Sequence, residues 1–145
     1  INKKIDYDLY PDLLEQLGID KPLDNKKLFI RYGGPIESGR GFVLHSDDMM
    51  RKETLNIDKG VALTSTAEFF DDLSKGEGPK NSILALGYAG WGPGQIELEI
   101  MQNSWMSLTV ETNFLFDDEV SGKWVQAYRI LGVDPNNLSY QSGNA

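Results

Sequence analysis

The stretch from Gly90 to Gln95 holds the residues best suited to binding chemistry. It joins a predicted buried strand (83–89) to a predicted helix, and Pro93 is expected near the first helical position, where its missing N–H costs nothing. A strand, a glycine-rich turn and a helix N-terminus together form an arrangement that holds anions on backbone N–H groups. We therefore predict a ligand-binding loop made of Gly90, Trp91, Gly92, Gly94 and Gln95.

The same loop also fits a purely structural role. It lacks the Lys-Ser/Thr pair of a phosphate-binding loop, and its glycine spacing is not the dinucleotide-binding pattern. Glu97 and Glu99 follow closely and would repel a multiply charged anion. The alternative is a tight turn whose glycines permit positive φ and close packing of helix on strand. Trp91 is expected to be partly exposed on this loop, whereas Trp105 and Trp124 are expected in the core.

Arg40 and His45 are the second set of candidates. They flank a predicted strand, and His45 is the only histidine, so any imidazole acid–base chemistry must use it. Arg40 can bind a carboxylate through two hydrogen bonds. The alternative is a hydrogen-bonded structural histidine, because catalysis also needs a partner within reach. We assign no residue a catalytic role on this pattern.

The other polar residues form no recognisable reactive centre. Asp47 and Asp48, with a single histidine, are too few ligands for a metal site. None of the serines lies in a G-x-S-x-G turn, so serine hydrolase chemistry is not expected. We predict neither a cofactor nor a metal. The clustered acidic residues predict a solvated face: Glu97, Glu99, Asp117, Asp118 and Glu119.

Strands and helices interleave with short loops, which predicts one compact α+β domain over residues 1–145. Strands are predicted at 26–32, 41–45, within 55–63, at 83–89, near 107–110 and at 114–116. Helices are predicted at 8–18, after a capping box at 65–68, from 93 onward and from a cap at 121 to a stop at Gly132. The strands at 26–32 and 41–45 are expected to pair as a hairpin.

The composition restricts the partners. The net charge is −8, from 22 acidic and 14 basic residues, and no Lys/Arg stripe is present. Nucleic-acid binding depends on basic side chains that neutralise phosphates, so nucleic acid is disfavoured as a partner. No apolar run approaches the roughly 18 to 20 residues needed to cross a bilayer, so no membrane partner is expected. The absence of cysteine fits a cytoplasmic location.

Several ordered blocks resemble a known family. GYAGWGPGQIELEI (87–100), followed by NSW (103–105), resembles the signature of the bacterial AlgH/YqgE family. Further segments resemble that family's blocks in order: 33–36 with 40–45 (GGPV…RGFVLH in the family), 63–66 (LTTS), and 114–117 with 123–124 (LLFD…RW). The resemblance covers essentially the whole chain.

The resemblance implies a compact α+β fold with a twisted, mixed, partly barrel-like sheet on which helices pack. It also implies that strands preceding Ile1 in the family are missing here, and Asn144 stands where the family has histidine. Members are described as candidate transcriptional regulators, through a link to alginate control, with no biochemical activity firmly attached. A fold does not by itself determine chemistry.

The residues and the resemblance together favour a non-enzymatic, cytoplasmic bacterial regulator that acts by binding a protein partner or a small anionic ligand. The expected contacts are Gly90–Gln95, together with Arg40 and His45. Two alternatives stay open. One is a DNA-binding transcriptional regulator, which the acidic charge disfavours. The other is an enzyme acting on a phosphorylated or carboxylated metabolite, with His45 as acid or base.

Overall fold

A computed structural model of the chain describes residues 2–5, 15 and 30–137. They belong to two compact units, which we call the sheet unit (Lys3–Tyr88) and the helical unit (Ala89–Ala145). The prediction of one domain over residues 1–145 stays a prediction. None of the helices within the described ranges has the length and apolar character that a bilayer crossing requires.

Over its described residues, the sheet unit contains five strands in the spatial order β1-β5-β2-β4-β3. β1 is parallel to β5, and the other neighbouring pairs are antiparallel, so the sheet is mixed. Lys4 adds an antiparallel bridge to Arg31 on the outer side of β1. The strand bounds are β1 Ile30–Tyr32, β2 Ile36–His45, β3 Leu55–Asp58, β4 Val61–Thr64 and β5 Ser82–Tyr88. The α+β class with a mixed sheet is confirmed, and the sheet is open over the described residues.

The predicted hairpin between the first two strands is wrong. β5 lies between β1 and β2 and pairs with both of them. β5 is the most apolar strand, with Ile83–Gly87 buried, and a strand of this kind gains most from a central position. The connection between β1 and β2, residues 33–35, has the composition of a tight turn. It nevertheless crosses the end of β5, which lies between the two strands that it joins.

Glycine makes that crossing possible. A Cβ atom at Gly33 would lie 2.0 Å from the carbonyl oxygen of Gly87, so no side chain fits there. Gly87 has φ +69, which favours glycine, and the Gly33 N–H donates to Leu86 O at 2.8 Å. The GGP turn therefore rests directly on the backbone at the end of β5.

The first described helix covers the sheet. Helix α1 (Ala67–Ser74) buries Phe69, Phe70 and Leu73, as its spacing predicts. These side chains form the core together with strand residues such as Val43 and Leu84. The predicted capping box is wrong in detail, because Thr66 is the N-cap residue and no side chain caps the helix. The burial of the apolar face stabilises α1 without that cap.

The helical unit contains three α-helices in its described part, α2 (Gln95–Met101), α3 (Thr112–Phe116) and α4 (Lys123–Ile130), followed by a 3₁₀ turn at Pro135–Asn137. The strand predicted at 114–116 is wrong, since these residues lie in α3, and the stretch at 107–110 is not a strand. Short apolar runs do not separate helix from strand by periodicity. Gly132 ends α4 with φ +71, as predicted.

One buried cation lies at the C-terminal end of α3. The Lys123 ammonium donates to the carbonyl oxygens of Leu115 (3.1 Å) and Asp117 (2.8 Å) and lies 5.7 Å from the Phe114 ring centroid. Carbonyls at a helix C-terminus favour a positive charge. The cap of α4 is Gly122 rather than the predicted Ser121. The predicted helix at 8–18 lies outside the described residues, apart from Glu15, and so do the predicted strand residues 26–29.

Candidate functional site

The loop from Gly90 to Gln95 leads into α2 through a left-handed glycine. Gly94 is the N-cap residue at φ 76, and α2 begins at Gln95. The sequence predicted that the helix begins near Pro93, two residues earlier. Gln95 N–H donates to Gly92 O at 3.0 Å, and Gly92 N–H donates to the Gln95 side-chain oxygen at 3.0 Å. Two of the backbone donors expected to hold an anion therefore have partners within the loop. α2 is only seven residues long.

Glu99 is the centre of the hydrogen bonds beside this loop. Its Oε2 accepts from the Trp91 indole at 3.1 Å and from the Trp105 indole at 2.6 Å. Its Oε1 accepts from the Gln95 side-chain amide at 2.9 Å. The Gln95 bond, followed by those from the Trp105 and Trp91 indoles, lowers the pKa of Glu99, because donors stabilise the ionised carboxylate.

The two indoles that Glu99 holds also contact each other. The Trp91 and Trp105 rings lie edge to face, with centroids 5.5 Å apart and planes at 84°. Trp91 is half-buried, in agreement with its expected partial exposure. Trp105 is 42% exposed and Trp124 is 49% exposed, so the prediction that both lie in the core is wrong. We call Trp91, Gln95, Glu99 and Trp105 the indole–carboxylate cluster.

The prediction of a solvated acidic face holds only in part. Glu97 is exposed, but Glu99 is half-buried and bonded to three donors. The Gln95–Glu99 spacing of four residues on a helix was a readable signal for one of these bonds. The sequence did not indicate that Trp91 and Trp105, eight residues before and six residues after Glu99, share one carboxylate oxygen, because neither spacing makes them neighbours of Glu99 on a helix.

Helix α2 and the loop after it expose apolar side chains, and this part of the chain carries only negative charges. Leu98, Met101 and Met106 are 54%, 72% and 44% exposed. Every charged side chain between Asn81 and Gly122 is acidic. These acidic residues are Glu97, Glu99, Glu111, Asp117, Asp118 and Glu119.

Arg40 lies on an irregular part of β2. The β2–β5 register shifts between Ile36 and Gly41, and Glu37 takes a left-handed φ of 48 within the bulge. The Arg40 guanidinium pairs with the Glu37 carboxylate at 3.0 Å and lies 5.1 Å from the Phe42 ring centroid. Both charged side chains are exposed, so this ion pair contributes little stability.

His45 is fully buried at the other end of β2. Its Nδ1 lies 2.9 Å from the carbonyl oxygen of Ser46, which can only accept, so this nitrogen carries the proton. Nε2 then accepts from the Thr64 hydroxyl at 2.9 Å, and Thr64 accepts from Thr54 at 2.8 Å. The ring also packs on Phe69, with centroids 4.6 Å apart. Both nitrogens are thus engaged within the protein.

The strand does not bring Arg40 and His45 together. They are five residues apart in β2, which places their Cα atoms about 16 Å apart at the usual rise of an extended strand. One is exposed in an ion pair, and the other is buried in a hydrogen-bonded chain. The two side chains therefore do not form a shared acid–base site.

Asp47 and Asp48 hold loops in place. Asp48 accepts from the Ser46 hydroxyl at 2.5 Å and from Lys80 N–H at 3.0 Å, and the Ser46 bond is the main reason that the pKa of Asp48 is lowered. Asp47 accepts from Gly60 N–H at 2.8 Å. Within the described ranges, no group of three or more His, Cys, Asp or Glu side chains is placed to hold a metal ion.

The chain is similar to AlgH-like and UPF0301 proteins, both in sequence and in structure. A sequence model of the AlgH-like family matches residues 1–136. A UPF0301 protein of Bradyrhizobium diazoefficiens is 44% identical over 144 residues, spanning 94% of this chain and 67% of that protein. A UPF0301 protein of Jannaschia sp. is 42% identical, spanning 100% of this chain and 77% of that protein. The solution structure of the AlgH protein from Pseudomonas aeruginosa is similar with a TM-score of 0.70 and 33% identity, over 92% of this chain and 71% of that one.

Proposed function

Because the chain belongs to the AlgH-like family, whose relatives carry no activity in their names, we propose a function from the site itself. The protein acts as a regulator by binding a protein partner, without catalysis. Its contact surface consists of the indole–carboxylate cluster and the exposed apolar side chains of α2. The partner segment is apolar and positively charged.

One observation carries this proposal, the sharing of the Glu99 carboxylate by the Trp91 and Trp105 indoles. Tryptophan is enriched among the residues that dominate binding energy at protein interfaces. A side chain already held in one position loses less conformational entropy when a partner binds. Glu99 thus prepares two large aromatic surfaces for contact, and Trp105 remains substantially exposed while it is held.

The charge of the surface favours a basic partner over a small anion. The Gly92 and Gln95 amides are already bonded, and the nearby carboxylates repel a phosphate or carboxylate ligand. The same carboxylates attract Lys and Arg side chains, and complementary charge raises both the rate and the specificity of association. Exposed Leu98, three residues after Gln95 and so on a neighbouring face of α2, supplies apolar area that such a partner buries.

The geometry gives the enzyme alternative little support. A general acid or base must reach the substrate, whereas His45 is fully buried with both ring nitrogens engaged. Arg40 is paired with Glu37. The net charge of −8, and the absence of Lys and Arg from residues 81–122, give the DNA-binding alternative little electrostatic attraction to phosphates.

The test compares two peptide series that share one amphipathic apolar pattern and differ only in Lys or Glu at the polar positions. Binding is followed by tryptophan fluorescence and by the indole N–H resonances. The Lys series should bind and should shift the Trp91 and Trp105 resonances. Trp105→Ala should weaken binding by at least about tenfold, as expected for a dominant contact. Trp124→Ala, which removes another exposed indole, is the matched control and should bind normally.

Equal binding of both series, or normal binding by Trp105→Ala, would overturn the proposal. A thermal-shift screen of the same protein with phosphate, nucleotides and duplex DNA covers the alternatives. A ligand at 100 times its Kd adds about 2.7 kcal/mol of stability, which is readily measured. A response to DNA alone would favour the DNA-binding regulator, and a response to a phosphorylated compound would favour a small-anion site.

A further inference from the structure

A cavity lies beside the C-terminal part of α4, within the helical unit. Its volume is about 600 Å³, which is in the range of small-molecule sites in proteins. Side chains of α4 line one part of it, and the chain that follows the helix, as far as Asn136, lines the rest. The cavity is therefore built from residues further along the chain than the indole–carboxylate cluster.

Backbone and side-chain hydrogen bonds fix the chain that closes this cavity. Beyond Gly132, which has φ +71, the Val133 N–H donates to Tyr128 O at 3.0 Å, a bond typical of the Schellman motif at a helix end. Asp134 Oδ1 then accepts from the Asn136 N–H at 2.9 Å and from the Asn136 side-chain amide at 3.0 Å. A site held in this way before a ligand arrives loses less conformational entropy on binding.

Two opposite charges line the cavity without pairing with each other. Arg129 lies in the last turn of α4, and Asp134 lies after the turn that ends the helix. In the part of the chain that the structure describes, neither side chain forms an ion pair. A guanidinium can bind a carboxylate through two hydrogen bonds, and a carboxylate accepts strongly from an ammonium group. The cavity thus offers one partner for each charge of a zwitterion.

The other side chains that determine the character of the cavity are apolar. They are Trp124, Val125, Val133 and Pro135. The Trp124 ring rests against Tyr128, with centroids 4.4 Å apart, and is still 49% exposed. Surfaces of this kind favour a ligand that has an apolar body to bury.

We propose that this cavity binds a free α-amino acid with a large apolar side chain. Its α-carboxylate pairs with Arg129, and its α-ammonium pairs with Asp134. The net charge of −8 opposes the binding of an anion, whereas a zwitterion carries no net charge and avoids that repulsion. An apolar amine or an apolar carboxylate would use only one of the two charged side chains. This site is separate from the proposed surface for a protein partner and does not depend on it.

A chemical-shift titration of the full chain with L-phenylalanine measures the binding, with the Trp124 indole N–H as the reporter. Two analogues each lack one charge: phenethylamine has no carboxylate, and phenylpropanoate has no ammonium. L-Phenylalanine should bind, and each analogue should bind at least about tenfold more weakly, because each leaves one charged side chain without its partner. Absence of binding, or equal affinity for all three compounds, would overturn the proposal.

Two variants assign the charges. Arg129→Gln should weaken the binding of L-phenylalanine and phenylpropanoate by about tenfold or more and leave phenethylamine unchanged. Asp134→Asn keeps the acceptor oxygen for the turn and should weaken L-phenylalanine and phenethylamine instead, leaving phenylpropanoate unchanged. Arg51→Gln is the matched control, since it removes the same charge from an exposed arginine of the sheet unit. Thermal unfolding verifies that each variant is folded. Variants that bind all three compounds as the original chain does, or that lose all three equally, would contradict the assignment.

Discussion

Substitution of Gly33 by alanine tests the crossing of the GGP turn over β5. The new Cβ atom would lie 2.0 Å from the carbonyl oxygen of Gly87. Carbon and carbonyl oxygen atoms in contact are normally about 3.3 Å apart or more, so the two backbones must separate by about 1.3 Å. Such a shift also stretches the 2.8 Å bond from Gly33 N–H to Leu86 O.

The cost follows from these two effects. Forced overpacking typically costs about 1–3 kcal/mol, and a weakened backbone hydrogen bond costs about 0.5–1.5 kcal/mol. Gly33→Ala should therefore lose about 2–4 kcal/mol. For a chain of this size the corresponding fall in Tm is about 5 to 15 °C. Urea denaturation and differential scanning calorimetry provide the two measurements.

Alanine substitutions at two other glycines distinguish the effect of the steric contact from the effect of backbone strain. A Cβ atom added at Gly39 would meet no other atom within 4 Å, and Gly39 has no left-handed φ, so Gly39→Ala should be neutral or stabilise by about 0.4–1 kcal/mol. Gly94 has equal space but φ +76, so Gly94→Ala should cost about 1–2 kcal/mol. If Gly33→Ala is as stable as Gly39→Ala, the close approach of the two backbones is refuted.

Three further predictions concern polar side chains. Thr64→Val removes the donor to His45 Nε2 and should cost about 1–3 kcal/mol in urea denaturation, so an unchanged midpoint would contradict the buried chain. Hydrogen bonds from one amide and two indoles lower the pKa of Glu99, so its contribution to stability is present at neutral pH and is lost as the pH falls through the lowered value. Glu99→Gln should therefore lower Tm at neutral pH and match the original chain in acid; a constant difference would contradict this sign. Lys123→Met leaves two carbonyls without their ammonium donor and should lose about 1–3 kcal/mol by chemical unfolding, whereas an unchanged stability would show that this cap is dispensable.

The sequence was informative where local pattern and burial agree. The apolar run at 83–89 predicted β5 almost residue for residue. The prediction of strand within 55–63 is also confirmed, since β3 and β4 lie there on either side of a turn with Gly60 at a left-handed φ. The spacing of Phe69, Phe70 and Leu73 predicted the buried face of α1. The family was also readable, since its blocks occur in order along the chain.

The sequence failed where a distant segment decides the pairing or where the local pattern is ambiguous. A strand pair cannot be inferred from a short loop when a later strand can be inserted between its members, as β5 is between β1 and β2. At 114–116 the short apolar run did not distinguish a helix from a strand. The exposed positions of Trp105 and Trp124 also contradict the general tendency of large aromatic residues to be buried.

The sequence by itself determined which residues are available: the glycines that permit close backbone approach, an acidic stretch without basic residues at 81–122, and a single histidine. Only the tertiary structure decided what they do. It buried His45 in a hydrogen-bonded chain and placed one carboxylate, Glu99, between two indoles. The physical reason is that backbone conformation responds to near neighbours, whereas burial and side-chain hydrogen bonds depend on which distant segments the core brings into contact.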